Sequence, residues 1–167
     1  MRNNVCKNNG GGVWIFYQTN DTISSCTIVS NYAGTGSGGL YIDTGDNPDP
    51  NWIENSIIYF NKVGSGSSSN YKLDDTVISA SFTNCCLSPE LPAGVINANI
   101  ITNSPEFIEP ATGNYQLKRN SPCINAGSFR AWMTGAVDMD GRARIRYGTV
   151  DIGAYELIYG GTVYMFR

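Results

Sequence analysis

Residues 25–31 (SCTIVSN) and 55–61 (NSIIYFN) decide the fold: each is a short β-branched run closed by asparagine, and the closing asparagines lie 30 residues apart. A second pair interleaves with the first, residues 11–15 (GGVWI) and 38–42 (GGLYI), with Trp14 and Tyr41 27 residues apart. A degenerate earlier copy, residues 4–9 (NVCKNN), ends 22 residues before Asn31. A period of roughly 20 to 30 residues holding two strands, an asparagine turn and a glycine pair predicts a coil of parallel strands stacked turn upon turn. Strand alternation puts Val13, Ile15, Leu40 and Ile42 on one face and Trp14 and Tyr41 on the other. The aliphatic set is expected inside, joined by Cys26, Ile28, Ser56 and Ile58. The turn asparagines tolerate left-handed geometry and, when stacked, can bond one another along the coil, which is a structural role.

Outward from these repeats, no window shows the 3.6-residue period of an amphipathic helix. Residues 63–70 (VGSGSSSN) read as a loop too polar for the core. Residues 76–82 and 96–101 read as strands, with a proline-containing loop at 90–94 between them. The expected division is repeats over 1–81, later turns and a closing segment of the same domain over 82–156, and a tail over 157–167.

The 167 residues suffice for one domain with a real core. Glycine (19) and asparagine (18) together mark a turn-dense β composition, and charged residues are only 15%. With no histidine, Ser/His/Asp triads, Cys/His dyads, imidazole zinc sites and histidine bases are all excluded. A net charge of -3 with 11 Lys and Arg spread along the chain argues against a nucleic-acid partner. No apolar run approaches the ~20 residues of a membrane span, and no apolar signal region follows Arg2. Five cysteines, Cys6, Cys26, Cys85, Cys86 and Cys123, form no CxxC pair and are expected as small buried apolar residues. A Cys6–Cys26 bridge stays open if the two stack in adjacent turns.

The tail has its own character: residues 103–127 (NSPEFIEPATGNYQLKRNSPCINAG) and 138–156 (DMDGRARIRYGTVDIGAYE). The order P-x-F, G-N-Y-x-L, S-P-x-I-N-A-G, D-x-D-G-x-x-R, V-D-I-G-A-Y-E resembles the C-terminal region of the choice-of-anchor Q type of right-handed parallel β-helix proteins, within the pectate-lyase-like fold group. The resemblance covers residues 82–156, and the earlier repeats look like the rungs preceding it. It implies an all-β, single-stranded right-handed parallel β-helix with an irregular C-terminal closing segment, in a secreted or surface-displayed bacterial protein. It implies no particular activity, because such bodies carry lyases, hydrolases and adhesins alike.

Trp14 and Tyr41, with Phe16 beside them, are expected to form an outward aromatic ladder able to stack on sugar rings; coverage by a loop or second chain is the structural alternative. Asp43, Asp46 and Asp49 lie in a Gly/Pro loop, residues 43–50 (DTGDNPDP). They are candidate catalytic carboxylates and a weak candidate calcium site, against the alternative of a solvated turn. Asp43 could pair with Glu54 or Asp74 of the next turn for glycoside hydrolysis, whereas the adjacent Asp74 and Asp75 point apart. Lys62 and Lys72 are the nearest candidate bases for a lyase, which in this fold group often needs calcium. Arg142, Arg144 and Arg146 would share one strand face, holding an acidic sugar or, with nearby carboxylates, an ion-pair network. Together these features point to a non-catalytic extracellular domain that recognises polysaccharide or is displayed on the bacterial surface. A polysaccharide lyase or glycoside hydrolase is the alternative, with calcium as its candidate cofactor. The chain begins inside a repeat, and its open first edge is a candidate for self-association.

Overall fold

The computed structural model describes residues 1–45, 49–64, 66–74 and 80–157. These are nearly all β, with no α-helix among the described residues. A first pass of chain forms β1 (Val5–Cys6), β2 (Val13–Phe16), β3 (Thr22–Ser24) and β4 (Thr27–Val29). A second repeats them as β5 (Tyr32–Ala33), β6 (Leu40–Asp43), β7 (Asn51–Glu54) and β8 (Ile57–Tyr59). A third gives β9 (Lys62–Val63), a return strand β10 (Ser67–Ser68), β11 (Tyr71–Leu73) and a long β12 (Ala80–Leu87), with β13 (Ile96–Ile101) following. Beyond it come β14 (Phe107–Glu109) and β15 (Asn114–Leu117), with 3-10 turns at Pro110–Thr112 and Ala131–Met133.

Equivalent strands pair in parallel from pass to pass. One sheet joins β1, β5 and β9, a second joins β2, β6 and β11, and the third joins β3 and β4 through β7 and β8 to β12 and then β13. The register sets Val13 beside Leu40 and Ile28 beside Ile58, which are the spacings of the glycine-pair and asparagine-turn repeats. Among the strands of the described residues, only β9–β10 and β14–β15 pair antiparallel.

Asparagine side chains tie the passes together at the corner after β4, β8 and β9–β10. The Asn4 amide Nδ2 donates to Asn31 Oδ1 (3.0 Å), Asn31 Nδ2 to Asn61 Oδ1 (3.0 Å), Asn61 Nδ2 to Asn70 Oδ1 (3.3 Å), and Asn70 Nδ2 to the Ser88 carbonyl (2.6 Å). The backbone N–H groups of Asn4, Asn31 and Asn61 donate to the same oxygens as their side chains. In front of three of these asparagines stands a left-handed residue: Asn3, Ser30 and Phe60. A second left-handed column, Ser25, Asn55, Asn84 and Asn99, kinks each pass of the third sheet.

The glycine pairs are explained by close approach. A Cβ at Gly12 would lie 2.8 Å from the Gly39 carbonyl oxygen, and one at Gly39 would lie 2.0 Å from the Asn70 carbonyl oxygen. A side chain at either position would push adjacent passes apart.

The core is one continuous cluster inside the three sheets. It holds Ile15, Ile28, Leu40, Ile42, Ile53, Ile58, Phe82, Cys85 and Leu87, with Val13 and Cys26 packed against it, and Ser56 is buried as expected. A second cluster lies on the outer side of the third sheet, where Val29, Ile57 and Cys86 meet Phe107, Tyr115, Leu117, Cys123 and Ile152.

Several expectations are corrected. The ladder asparagine of the first pass is Asn4, not Asn9, because β1 pairs with β5 rather than with β4. Residues 63–70 are not a plain loop: β10 folds back on β9, which brings the buried Asn70 into the ladder only nine residues after Asn61. The strand expected over 76–82 is Ala80–Leu87 where described, and residues 76–79 lie outside the described residues. The C-terminal segment, expected as a closing segment, packs against the third sheet. It runs along the outer face of the third sheet, since that face is apolar and needs cover: Asn84 Nδ2 donates to Ala126 O, Asn55 Nδ2 to Ser128 O, Gly153 N to Asn55 O, and Ala154 N to Thr27 Oγ1. All five cysteines are free. Cys6 and Cys26 belong to different sheets and donate to the Asn9 and Ser24 carbonyls, so they do not bridge.

Candidate functional site: the outward face of the β2–β6–β11 sheet

Because Val13, Ile15, Leu40, Ile42, Tyr71 and Leu73 pack inward, the alternate residues of the same strands face out. They form a grid. One row is Trp14, Tyr41 and Lys72, in register across β2, β6 and β11. The next begins with Phe16 beside Asp43, and Asp74 continues it, since its N–H bonds Ile42 O in the ladder pattern.

Trp14 is 44% and Phe16 48% exposed. Their ring centroids are 4.8 Å apart, and Phe16 meets the edge of Tyr17 at 4.5 Å. Tyr17, 63% exposed, holds a left-handed backbone at φ 53°, unusual for a bulky residue. Alternation along β2 does not reach it because the strand ends at Phe16; its signal in the sequence is that it closes the apolar run 13–17 (VWIFY) before a polar turn. Tyr41, expected as an exposed contact, is only 5% exposed. Trp14 stacks on one side of it at 6.2 Å, and Lys72 Nζ lies 5.2 Å from its ring centroid on the other. A middle strand loses its outer face to both neighbours. The Tyr41 hydroxyl donates to Asp74 Oδ2 at 2.8 Å.

Asp43 Oδ1 accepts the Gly45 N–H at 3.3 Å, fixing the turn after β6. The structure brings Asp43, Asp74 and Lys72 onto one face with Trp14, Phe16 and Tyr41, and Asp49 is exposed. Glu54 is engaged elsewhere, accepting from Ser24 Oγ (2.9 Å) and Arg130 Nε (2.6 Å). Asp46 and Asp75 lie outside the described residues, and among the described residues no three metal-ligating side chains converge. Lys62 lies away from this face, in a groove of about 430 Å³ with Tyr32, Phe60 and Pro110.

Arg142, Arg144 and Arg146 do not share a strand face; the segment that carries them is irregular, with only single bridges at Val137–Ala143 and Arg146–Thr149. Arg144 is buried and donates to the Gly153, Ala154 and Ser25 carbonyls and to Glu156 Oε1 (3.2 Å). Arg142 pairs with Asp140 at 3.0 Å. The buried carboxylates of this segment serve mainly as acceptors for backbone N–H groups: Asp138 for Asp140, Arg142 and Glu156, and Asp151 for Asn125 and Leu157. Burial pushes the Glu156 carboxyl up to about 7 and raises that of Asp151. These groups hold turns, which accounts for an aspartate- and arginine-rich motif away from the aromatic face.

Comparison with protein-family models, curated proteins and solved structures returns no match. No helix of the described residues is long and apolar enough to cross a membrane.

Proposed function

We propose that the chain is a short right-handed parallel β-helix of the choice-of-anchor Q type, extracellular or displayed on a bacterial surface, that recognises polysaccharide on the outward face of the β2–β6–β11 sheet. The parallel pairing of successive passes and the asparagine ladder support the architecture. The order of C-terminal motifs supports the family.

The observation that carries the function is the pair of exposed rings, Trp14 and Phe16, on one strand of a rigid sheet. An aromatic platform backed by hydrogen-bonding groups is how proteins hold the apolar face and hydroxyl rim of a sugar ring. Asp43, Lys72 and Asp74 supply the polar rim. Titrating the chain with a panel of neutral and uronic-acid polysaccharides, following tryptophan fluorescence and heat, tests this. Binding lost in Trp14→Ala and weakened in Phe16→Ala is the expected result. No binding across the panel, or binding indifferent to Trp14, would remove the reading.

One observation favours the enzymatic alternative. Asp43 and Asp74 sit at adjacent register positions on neighbouring strands, and strand spacing of about 4.8 Å is close to the ~5–5.5 Å between the two carboxyls of a retaining glycoside hydrolase. Release of reducing or unsaturated products that stops in Asp43→Asn would establish it, with a calcium requirement pointing to the lyase form.

A further inference from the structure

We propose that the groove between the asparagine corner and the Pro110–Thr112 turn is a second binding site, one that takes a small aromatic carboxylate and holds its charge with Lys62. The inference is independent of what the outward face of the β2–β6–β11 sheet binds.

The groove is built by the same repeats that build the ladder. Tyr32 and Lys62 are register partners on β5 and β9, and because Asn31 and Ala33 on either side of Tyr32 are buried, alternation turns Tyr32 and Lys62 outward. The left-handed residues Ser30 and Phe60 stand just before the ladder asparagines, and Phe60 is 40% exposed. Pro110 joins them from the C-terminal segment, and the space between is about 430 Å³, within the range of small-molecule sites. Corner and segment are fastened to each other. Phe60 packs on Phe107 with ring centroids 6.2 Å apart, Phe107 meets the edge of Tyr115 at 5.2 Å, and the Tyr115 hydroxyl donates to Ser30 Oγ at 2.9 Å. A ligand therefore meets a groove already formed.

The chemistry of the lining selects the ligand. Tyr32, Phe60 and Pro110 offer apolar ring surface, which favours a flat apolar body. Hydrogen-bonding capacity is scarce. The Asn31 amide is occupied in the ladder, accepting from Asn4 and donating to the Met1 carbonyl and Asn61 Oδ1, and the Tyr32 hydroxyl donates to the Gly64 carbonyl. What remains is the Lys62 ammonium and the proton of the Ser30 hydroxyl. Among the described residues no carboxylate pairs with Lys62, and Glu109, beside Pro110, accepts from Thr112 Oγ1 at 3.0 Å within its own turn. Arg2 adds positive charge to this corner, its guanidinium carbon 5.9 Å from the Tyr115 ring centroid. One unpaired ammonium beside apolar rings suits one carboxylate on a flat body. A sugar acid fits poorly, because its hydroxyls would lose water with few partners to replace it.

The test titrates the whole chain with para-fluorocinnamate, following the fluorine resonance of the ligand. Its neutral amide and glucuronate serve as comparators, the latter as a competitor. Saturable binding of para-fluorocinnamate is expected, with the amide weaker by about tenfold or more, the scale for losing a hydrogen bond to a charged group, and with no displacement by equimolar glucuronate. Lys62→Met should weaken binding by a similar factor, Lys62→Arg should retain it, and Lys72→Met, on the other sheet, should leave it intact. Lys62 is exposed, and a cooperative melt at the temperature of the unsubstituted chain verifies that its variants are folded. No saturable binding at millimolar para-fluorocinnamate, equal affinity for acid and amide, displacement by equimolar glucuronate, or binding indifferent to Lys62→Met would each overturn the proposal.

Discussion

Replacing Asn61 by alanine tests the ladder at its most connected member. Asn61 is fully buried. Its Oδ1 accepts both the backbone and the side-chain N–H of Asn31, at 2.9 and 3.0 Å, and its Nδ2 donates to the Ile28 carbonyl at 2.9 Å as well as to Asn70. Truncation leaves the Asn31 backbone N–H and the Ile28 carbonyl inside the protein without these partners. Each orphan costs about 1–3 kcal/mol, so the substitution should cost roughly 3–5 kcal/mol, a third or more of a typical total of about 5–15 kcal/mol. Asn4, exposed and only a donor in the ladder, supplies the internal control, and Asn4→Ala should cost about 1 kcal/mol or less. Urea titrations followed by tryptophan fluorescence measure both. A lower midpoint at unchanged slope is expected for Asn61→Ala. Equal losses for the two substitutions, or a loss under about 1 kcal/mol at Asn61, would falsify the view that the amide chain carries the stacking.

Three further outcomes are expected. Ile28→Asp places an unpaired charge in the centre of the core, where Ile28 is 0% exposed, at a cost above about 4 kcal/mol; recovery of a soluble, cooperatively melting variant would contradict the core assignment. Arg144→Ala removes the partner of Glu156 and three carbonyl contacts, a loss of about 3–5 kcal/mol for a broken buried pair. Proteases should then cut the C-terminal segment while Trp14-dependent binding persists, and unchanged thermal stability would count against the role given to Arg144. The folded Glu156 carboxyl holds its proton up to about pH 7, against 4.5 for the ordinary group. The folded state therefore binds more protons than the unfolded state across that window, and stability falls as pH rises from about 4.5 to 7, by up to about 3 kcal/mol. Glu156→Gln should flatten that slope in urea midpoints taken at pH 5 and pH 8; an unaltered slope would show that other groups set it.

The inner half of the fold was legible because it obeys two local periods. Alternation sorted Ile15, Leu40 and Ile42 from Trp14, and the 30-residue spacing of Asn31 and Asn61 fixed the stacking. Asn70 was missed because a hairpin shortens its interval to nine residues, and a search at fixed period does not look there. The burial of Tyr41 depends on what stands on either side of it across the sheet, Trp14 and Lys72, and alternation along one strand carries no such information. The docking of the C-terminal segment was likewise invisible: Val29, Ile57 and Cys86 face outward by alternation yet are buried, and an unbroken apolar run such as residues 57–58 was the only hint that both faces are covered. Of the candidate site, the outward placement of Trp14 and Phe16 followed from alternation along one strand, whereas the adjacency of Asp43 to Phe16 and to Asp74 comes from register across strands.

The asparagine chain has a polarity. Every side-chain amide donates toward the next member, from Asn4 to Asn31 to Asn61 to Asn70, and the last donates a hydrogen bond to the Ser88 carbonyl. A stretch copied from one ladder asparagine up to the next therefore enters with one acceptor and leaves with one donor pair, so it can be inserted in tandem without orphaning a bond. The spacings of 27 and 30 residues between Asn4, Asn31 and Asn61 show that the intervening loops can vary in length as long as the asparagine returns. Such a molecule grows by whole passes, and its length is a quantity that duplication can change while every existing bond keeps its partner.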